Sequence, residues 1–180
     1  MTTTTTLGEL TGDYTFDTAH TRIGFAARHT VGPKVCGQFE EFGGSAHLDG
    51  DDPSKSKVKF TIQAGSIQTH NPQRDNVLRG KFLDLDNHPT IAFTLTGAQQ
   101  VDETTFGLTG ELTIRGVTKP VTVAVERTGA EHDPRGNARI HFKGRATINR
   151  KDWGVHWIAA VGLVGKKVAL EFDVAVIRQT

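Results

Sequence analysis

One cysteine, Cys36, stands in the whole 180-residue chain, so no intrachain disulfide can form. A chain of this length builds a sizeable core without such staples. Cys36 falls out of phase with Val35 and Gly37, and neither immediate neighbour is charged, so it reads as an inert thiol. Excess charge of one sign is missing too. Lysine and arginine number 21 against 20 acids, a formal net charge of +1. That balance lacks the basic face that nucleic acid requires, so no nucleic-acid partner is expected. The local excess at Arg139, Lys143, Arg145, Arg150 and Lys151 includes three residues on the outward phase of one segment, which reads as a solvated face. Long apolar runs are absent: nothing approaches a signal-peptide core or a transmembrane helix. Met1 to Thr6 is a threonine run, without the charged-then-apolar order of an export signal. The expectation is a cytoplasmic protein with no transmembrane segment.

Motifs that carry chemistry are equally scarce. Eight histidines are present, yet there is no His-Glu-x-x-His, no paired-cysteine knuckle and no compact ligand spacing, so no metal is expected. No Gly-x-Ser-x-Gly or convincing serine–histidine–acid set occurs, and Ser66 and His70 are neighbours that nothing marks as activated. Arg74/Asp75 and Arg150/Asp152 read as local ion pairs or caps. No glycine loop leads into a helix to cradle phosphate, so no cofactor is expected. A catalytic role is not the expectation.

What the chain does have is alternation. Ile23, Phe25 and Ala27 alternate with Arg22, Gly24 and Arg28, and Val58, Phe60, Ile62 and Ala64 alternate with Lys57, Lys59, Thr61 and Gln63. The pattern recurs through Ile91/Phe93/Leu95, Leu112/Ile114, Val121/Val123/Val125, Ile140/Phe142 and Val168/Leu170/Phe172/Val174/Val176, giving about eight strand-like segments. A pleated strand sends successive side chains to opposite faces, so each segment has one buried face. Short turn-rich breaks, such as Asp49-Gly50-Asp51-Asp52-Pro53 and Arg115-Gly116-Val117, predict hairpins and an antiparallel, all-β domain. Both a sandwich and a closed barrel satisfy this pattern.

Three features refine it. Asn71 to Gly80 predicts one short helix, with Asn71 as N-cap, Pro72 at the first position and Gly80 as the stop. Val35, Gly37 and Phe39 occupy odd positions whereas Phe42, Gly44, Ala46 and Leu48 occupy even ones, which predicts a β-bulge near Glu40-Glu41. Gly37, Gly44, Ala46, Ala64, Gly110, Gly144 and Ala146 interrupt the apolar face. Such residues mark sharp barrel corners or leave room for a cavity, and local pattern does not choose between the two. The irregular stretch Trp153 to Gly165 carries both tryptophans and reads as a lid-like loop.

Phase alone nominates Ile23, Phe25, Ala27, Phe60, Ile62, Phe93, Leu112, Phe142 and Phe172 as wall residues, with ordinary core as the alternative. His29, inward at its segment's end, and Trp157, on the lid stretch, are candidates for a head-group contact or gate.

Several blocks, read in order, form one set. They are Tyr14-x-x-Asp17-x-x-His20-x-x-Ile23-x-Phe25, Arg28-His29, Gly37-x-Phe39-x-x-Phe42-x-Gly44, and Ser66-Ile67-x-Thr69 with Arg74-Asp75-x-x-Leu78-Arg79. Asn87-His88-Pro89-x-Ile91-x-Phe93, Gly110-x-Leu112-Thr113-Ile114-Arg115-Gly116-Val117-Thr118-Lys119 and Asn149-Arg150-Lys151-Asp152-Trp153-Gly154-Val155 follow. Together these blocks resemble the YceI-like family of polyisoprenoid-binding proteins over roughly residues 12–177, which implies an antiparallel, eight-stranded, lipocalin-like barrel; the expected domain spans residues 12–180, behind a flexible tail at 1–11. The resemblance also implies an apolar channel for a polyisoprenoid, an isoprenoid quinone or another long lipid, and a homodimer as the assembly. The expected function is non-covalent lipid binding. The alternatives are an enzyme using His29 as acid or base on a hydrophobic substrate, and a solidly filled barrel that docks a partner.

Overall fold

The computed structural model describes residues 10–29, 34–132, 134–155 and 164–179. Its strands are β1 (Gly12–Phe16), β2 (Arg22–His29), β3 (Lys34–Phe39), β4 (Phe42–Leu48), β5 (Lys57–Gln63), β6 (Ile67–Gln68), β7 (Thr90–Gln100), β8 (Thr105–Ile114), β9 (Val117–His132), β10 (Ala138–Asn149) and β11 (Val164–Arg178). All their pairings are antiparallel. The order β1-β4-β5-β7-β8-β9-β10-β11 returns on itself, because β1 also pairs with β11, Tyr14 lying opposite Arg178. Those eight strands close a barrel. Closure removes the exposed edges that an open sheet of this size would present.

The remaining three strands continue three of the eight. β2 follows β1 along the same edge of β11, with Ile23 opposite Phe172 and Ala27 opposite Val168. β3 and β6 likewise prolong β4 and β5, with Phe25 opposite Gly37 and Phe39 opposite Ile67. Each of these long strands bends where a side chain or short turn takes over the ladder. Asp17 caps a 3₁₀ turn over Thr18–His20, and Thr21 then accepts from the Ala175 amide at 3.1 Å. The second bend falls at Glu40-Glu41, where the phase slip placed it; Phe39 and Phe42 on either side both reach the apolar interior. The third is the 3₁₀ turn Ala64–Ser66, held by the Ser66 hydroxyl donating to the Gln63 carbonyl at 2.7 Å.

The chain turns from β8 to β9 through Arg115 and Gly116, both with positive φ, the conformation that two-residue hairpins require. The short helix, α1 (Pro72–Val77), starts as predicted, with the Asn71 side chain accepting from the Arg74 amide at 3.1 Å. Gly80 does not stop it. The chain widens into a π turn over Leu78–Phe82, with the Leu83 amide donating to the Leu78 carbonyl at 2.9 Å. Burial explains the extension, since Leu78, Phe82 and Leu83 all pack into the main core. Arg74 and Asp75 also differ from the expected pair. They meet at Thr69: Arg74 donates to its hydroxyl and carbonyl at 2.8 and 2.7 Å, and Asp75 accepts from its amide at 3.0 Å.

Two apolar clusters result. The larger gathers Ile67, Leu78, Phe82, Ile91, Leu112, Val121, Val123, Ile148 and Trp153, and the smaller gathers Leu10, Tyr14, Ala46, Ile140 and Val176. Phe142 packs against both. Among the described residues no helix is long and apolar enough to cross a membrane.

Candidate functional site

The inward faces of the strands surround a cavity of about 390 Å³. Ile23, Phe25 and Ala27 on β2, Phe60 and Ile62 on β5, Phe93 on β7, Leu112 on β8, Phe142 on β10 and Phe172 on β11 all line it. His29 ends β2 with its backbone opposite Val164, but its side chain lies outside the described residues, as does the whole of Trp157.

Phenylalanines this numerous would fill a small barrel if they pointed at its axis. The glycines on neighbouring strands prevent that. A Cβ on Gly144 would lie 2.1 Å from the Phe172 ring, one on Gly110 2.4 Å from Phe93, and one on Gly37 2.6 Å from Phe25. On Gly44 it would meet the Lys59 carbonyl at 2.3 Å and the Phe60 ring at 3.1 Å. None of these four glycines has positive φ, so space rather than backbone freedom explains them. Each gives a cross-strand ring a seat against the wall, and the rings lie over the sheet instead of across the lumen. That arrangement resolves the choice between corner and cavity.

The cavity reaches both ends of the barrel. At the helix end it touches Leu78, Phe82, Ile114, Arg150, Trp153 and Val155. Trp153 is buried there, its indole N–H donating to the Leu112 carbonyl at 2.9 Å. Arg150 is held beside it by a 2.8 Å bond from Nη1 to the Val155 carbonyl, and burial pushes its guanidinium pKa below the ordinary value. At the other end, where β1 begins and β4 turns to β5, the lining is Leu10, Leu48, Asp49, Pro53, Ser56 and Arg127. Tyr14 secures Leu10 by donating from its hydroxyl to the Leu10 carbonyl at 2.7 Å. Asp49 uses one carboxylate oxygen to accept from the Asp51 and Asp52 amides.

Asp49, Arg127 and Arg150 are the charged lining side chains among the described residues. Sequence reading nominated none of them for the lining. Arg127 continues the inward phase of Val121, Val123 and Val125, so a signal for it was present. Arg150 lies in a turn, Arg150–Trp153, where alternation says nothing. No group of three or more histidine, cysteine or acidic side chains able to hold a metal occurs among the described residues. The interior can therefore offer dispersion and desolvation along its length, with charge confined to its ends.

The YceI-like domain model matches residues 14–176. A UPF0312 protein of Pseudomonas paraeruginosa is 36% identical over 173 residues, covering 94% of this chain and 89% of its own. A UPF0312 protein of Azotobacter vinelandii is 33% identical over the same shares. The YceI protein of Campylobacter jejuni has the same fold, with a TM-score of 0.75 and 25% identity, both chains being covered completely. A polyisoprenoid binding domain from Saccharophagus degradans shares the fold at a TM-score of 0.71 and 14% identity, over 92% of this chain and 98% of that one. Matched across nearly its whole barrel, this chain belongs to the YceI-like domain family.

Proposed function

We propose that the barrel binds a long apolar molecule non-covalently, as a store or carrier of a polyisoprenoid, an isoprenoid quinone or a lipid of comparable length. The observation that carries this is the cavity of about 390 Å³, continuous from Leu10 to Trp153 and walled by hydrocarbon. From Ile140 to Ile148 a wall strand rises roughly 26 Å at about 3.3 Å per residue. At a barrel tilt near 40° that leaves about 20 Å of channel along the axis. Extended chains fit such a shape better than compact ones.

The energetics support the reading. Enclosing ~15 carbons at ~0.8 kcal/mol per CH₂ offers ~12 kcal/mol. Lost translational and rotational freedom takes back at least ~4 kcal/mol, which leaves binding in the micromolar range. The likeness to a protein described as a polyisoprenoid binding domain adds a ligand class to the shape. A carrier fits better than a catalyst, because the lining is hydrocarbon in its middle, where most of a bound chain would lie.

Native mass spectrometry of freshly purified protein, followed by lipid extraction, tests the proposal. A one-to-one adduct that resolves to a prenyl or acyl chain is the expected result. Failure to capture any prenyl or acyl chain, both from the host and after incubation of delipidated protein with such lipids, would overturn it.

A further inference from the structure

We infer that the channel selects molecules with an acidic oxygen head group, a carboxylate or a phosphate, which Arg127 holds at the end opposite Trp153. The inference rests on the lipid-binding reading above and narrows it, since a quinone or an alcohol lacks such a group.

Arg127 is set up by its strand. It is the last inward residue of the series Val121, Val123, Val125, and β9 bulges immediately after it: Phe142 pairs with Arg127 while His141 pairs with Gly129, leaving Thr128 over. A bulge of this kind re-aims the side chains beside it. The Arg127 amide donates to the Thr104 carbonyl at 2.7 Å, which pins the backbone from the β8 side. The position is thus fixed on both flanks.

The guanidinium is not satisfied by the described residues. Its Nη1 is buried with no hydrogen-bond partner among the described residues, and no carboxylate there forms an ion pair with it. The side chain of its cross-strand neighbour, Phe142, offers no acceptor. Asp49, the lining acid, has an oxygen committed to two backbone amides. Arg150, the other lining arginine, bonds instead to a backbone carbonyl. A guanidinium carries five donors in one plane, and a buried donor without an acceptor is costly. The matching partner is a flat or tetrahedral oxyanion that accepts one bond on each of two oxygens, a fork that a carboxylate or phosphate offers and a lone hydroxyl does not. With the head at Arg127, the tail extends past the Phe142 and Phe172 rings towards Trp153.

Matched probes test this: oleic acid against oleyl alcohol, and farnesyl phosphate against farnesol, titrated into delipidated protein below their aggregation concentrations. The acidic member of at least one pair should bind at least about tenfold tighter, as expected for a hydrogen bond to a charged group. The pair with the larger ratio identifies carboxylate or phosphate as the preferred source. In Arg127→Met the ratio should fall to about one. Arg127→Lys keeps the charge without the fork and should lower it partway, which serves if the methionine variant does not fold. Acid and alcohol binding equally in both pairs would overturn the inference while leaving the channel intact. So would a ratio that survives in the variants. Saturable binding by none of the four probes would remove both the inference and the reading beneath it.

Discussion

The two ends of the barrel hold an arginine each, and the two are in opposite states. Arg150, at the helix end, bonds to the Val155 carbonyl beside a tryptophan that bonds to the Leu112 carbonyl. Arg127, at the other end, has a buried nitrogen with no hydrogen-bond partner among the described residues. The surroundings differ in the same sense. The helix end belongs to the larger apolar cluster, whereas Leu10, Tyr14, Ala46, Ile140 and Val176 form the smaller one. A buried polar group tied to backbone carbonyls is part of the wall, and one left untied beside a cavity is free to meet a ligand. The helix end is therefore the structural floor and the Arg127 end is the recognising one.

The largest effect should follow from breaking the floor. Trp153→Ala removes a fully packed ring and its bond to the Leu112 carbonyl, so urea unfolding should show a loss of about 3–5 kcal/mol. A loss below about 1 kcal/mol would mean that the tryptophan is not integral to that end.

The next tests whether the two ends share one channel. Gly144→Ala puts a methyl 2.1 Å from the present position of the Phe172 ring, which must swing towards the lumen. Overpacking of this kind should cost about 1–3 kcal/mol. It should also weaken binding of long chains more than short ones, because the channel is pinched between its ends. Gly43→Ala is the control, since a Cβ there meets nothing within 4 Å. Equal chain-length dependence in the two variants would contradict a continuous channel.

How much of this was legible beforehand follows from the range of each signal. The nine wall positions, Ile23 and Phe172 among them, were readable because a strand's period of two is a local property. The bend at Glu40-Glu41 was readable for the same reason, as a change of phase. Closure by Tyr14 opposite Arg178 was not, because it joins residues at opposite ends of the chain and came only with the family resemblance. The seating of Phe172 on Gly144 was hidden too, since it depends on which strands become neighbours. Gly80 misled because a glycine after a short amphipathic stretch usually ends a helix, while the pull of Phe82 into the core is tertiary. Arg127 was in phase with Val121, Val123 and Val125, none of which was nominated for the wall although all four line it.

A paired substitution then compares the arginines directly. Arg150→Met should cost about 1–3 kcal/mol, because the Val155 carbonyl loses its donor. Arg127→Met should cost less than about 0.5 kcal/mol, or stabilise, since it removes a buried donor without an acceptor among the described residues. Chemical denaturation of the ligand-free variants gives both values. Equal losses would erase the distinction between floor and recognising end.

The smallest effect concerns how the recognising end is held. Tyr14 is 1% exposed and donates to the Leu10 carbonyl, so Tyr14→Phe should cost about 0.5–1.5 kcal/mol near neutral pH. The hydroxyl also gives that end a pH signature. Burial raises the Tyr14 pKa above its ordinary 10.0, against the opposing pull of Arg178. Below pH 10 both folded and unfolded chains carry the protonated phenol, and its contribution is fully present. As pH rises from 10 through the raised folded value, the unfolded chain ionises first, and stability is lost. Stability against pH should therefore decline more gently above pH 10 in Tyr14→Phe than in the parent, with the two curves converging. Parallel curves would show that the alkaline limb has another origin and that Leu10 is held by packing alone.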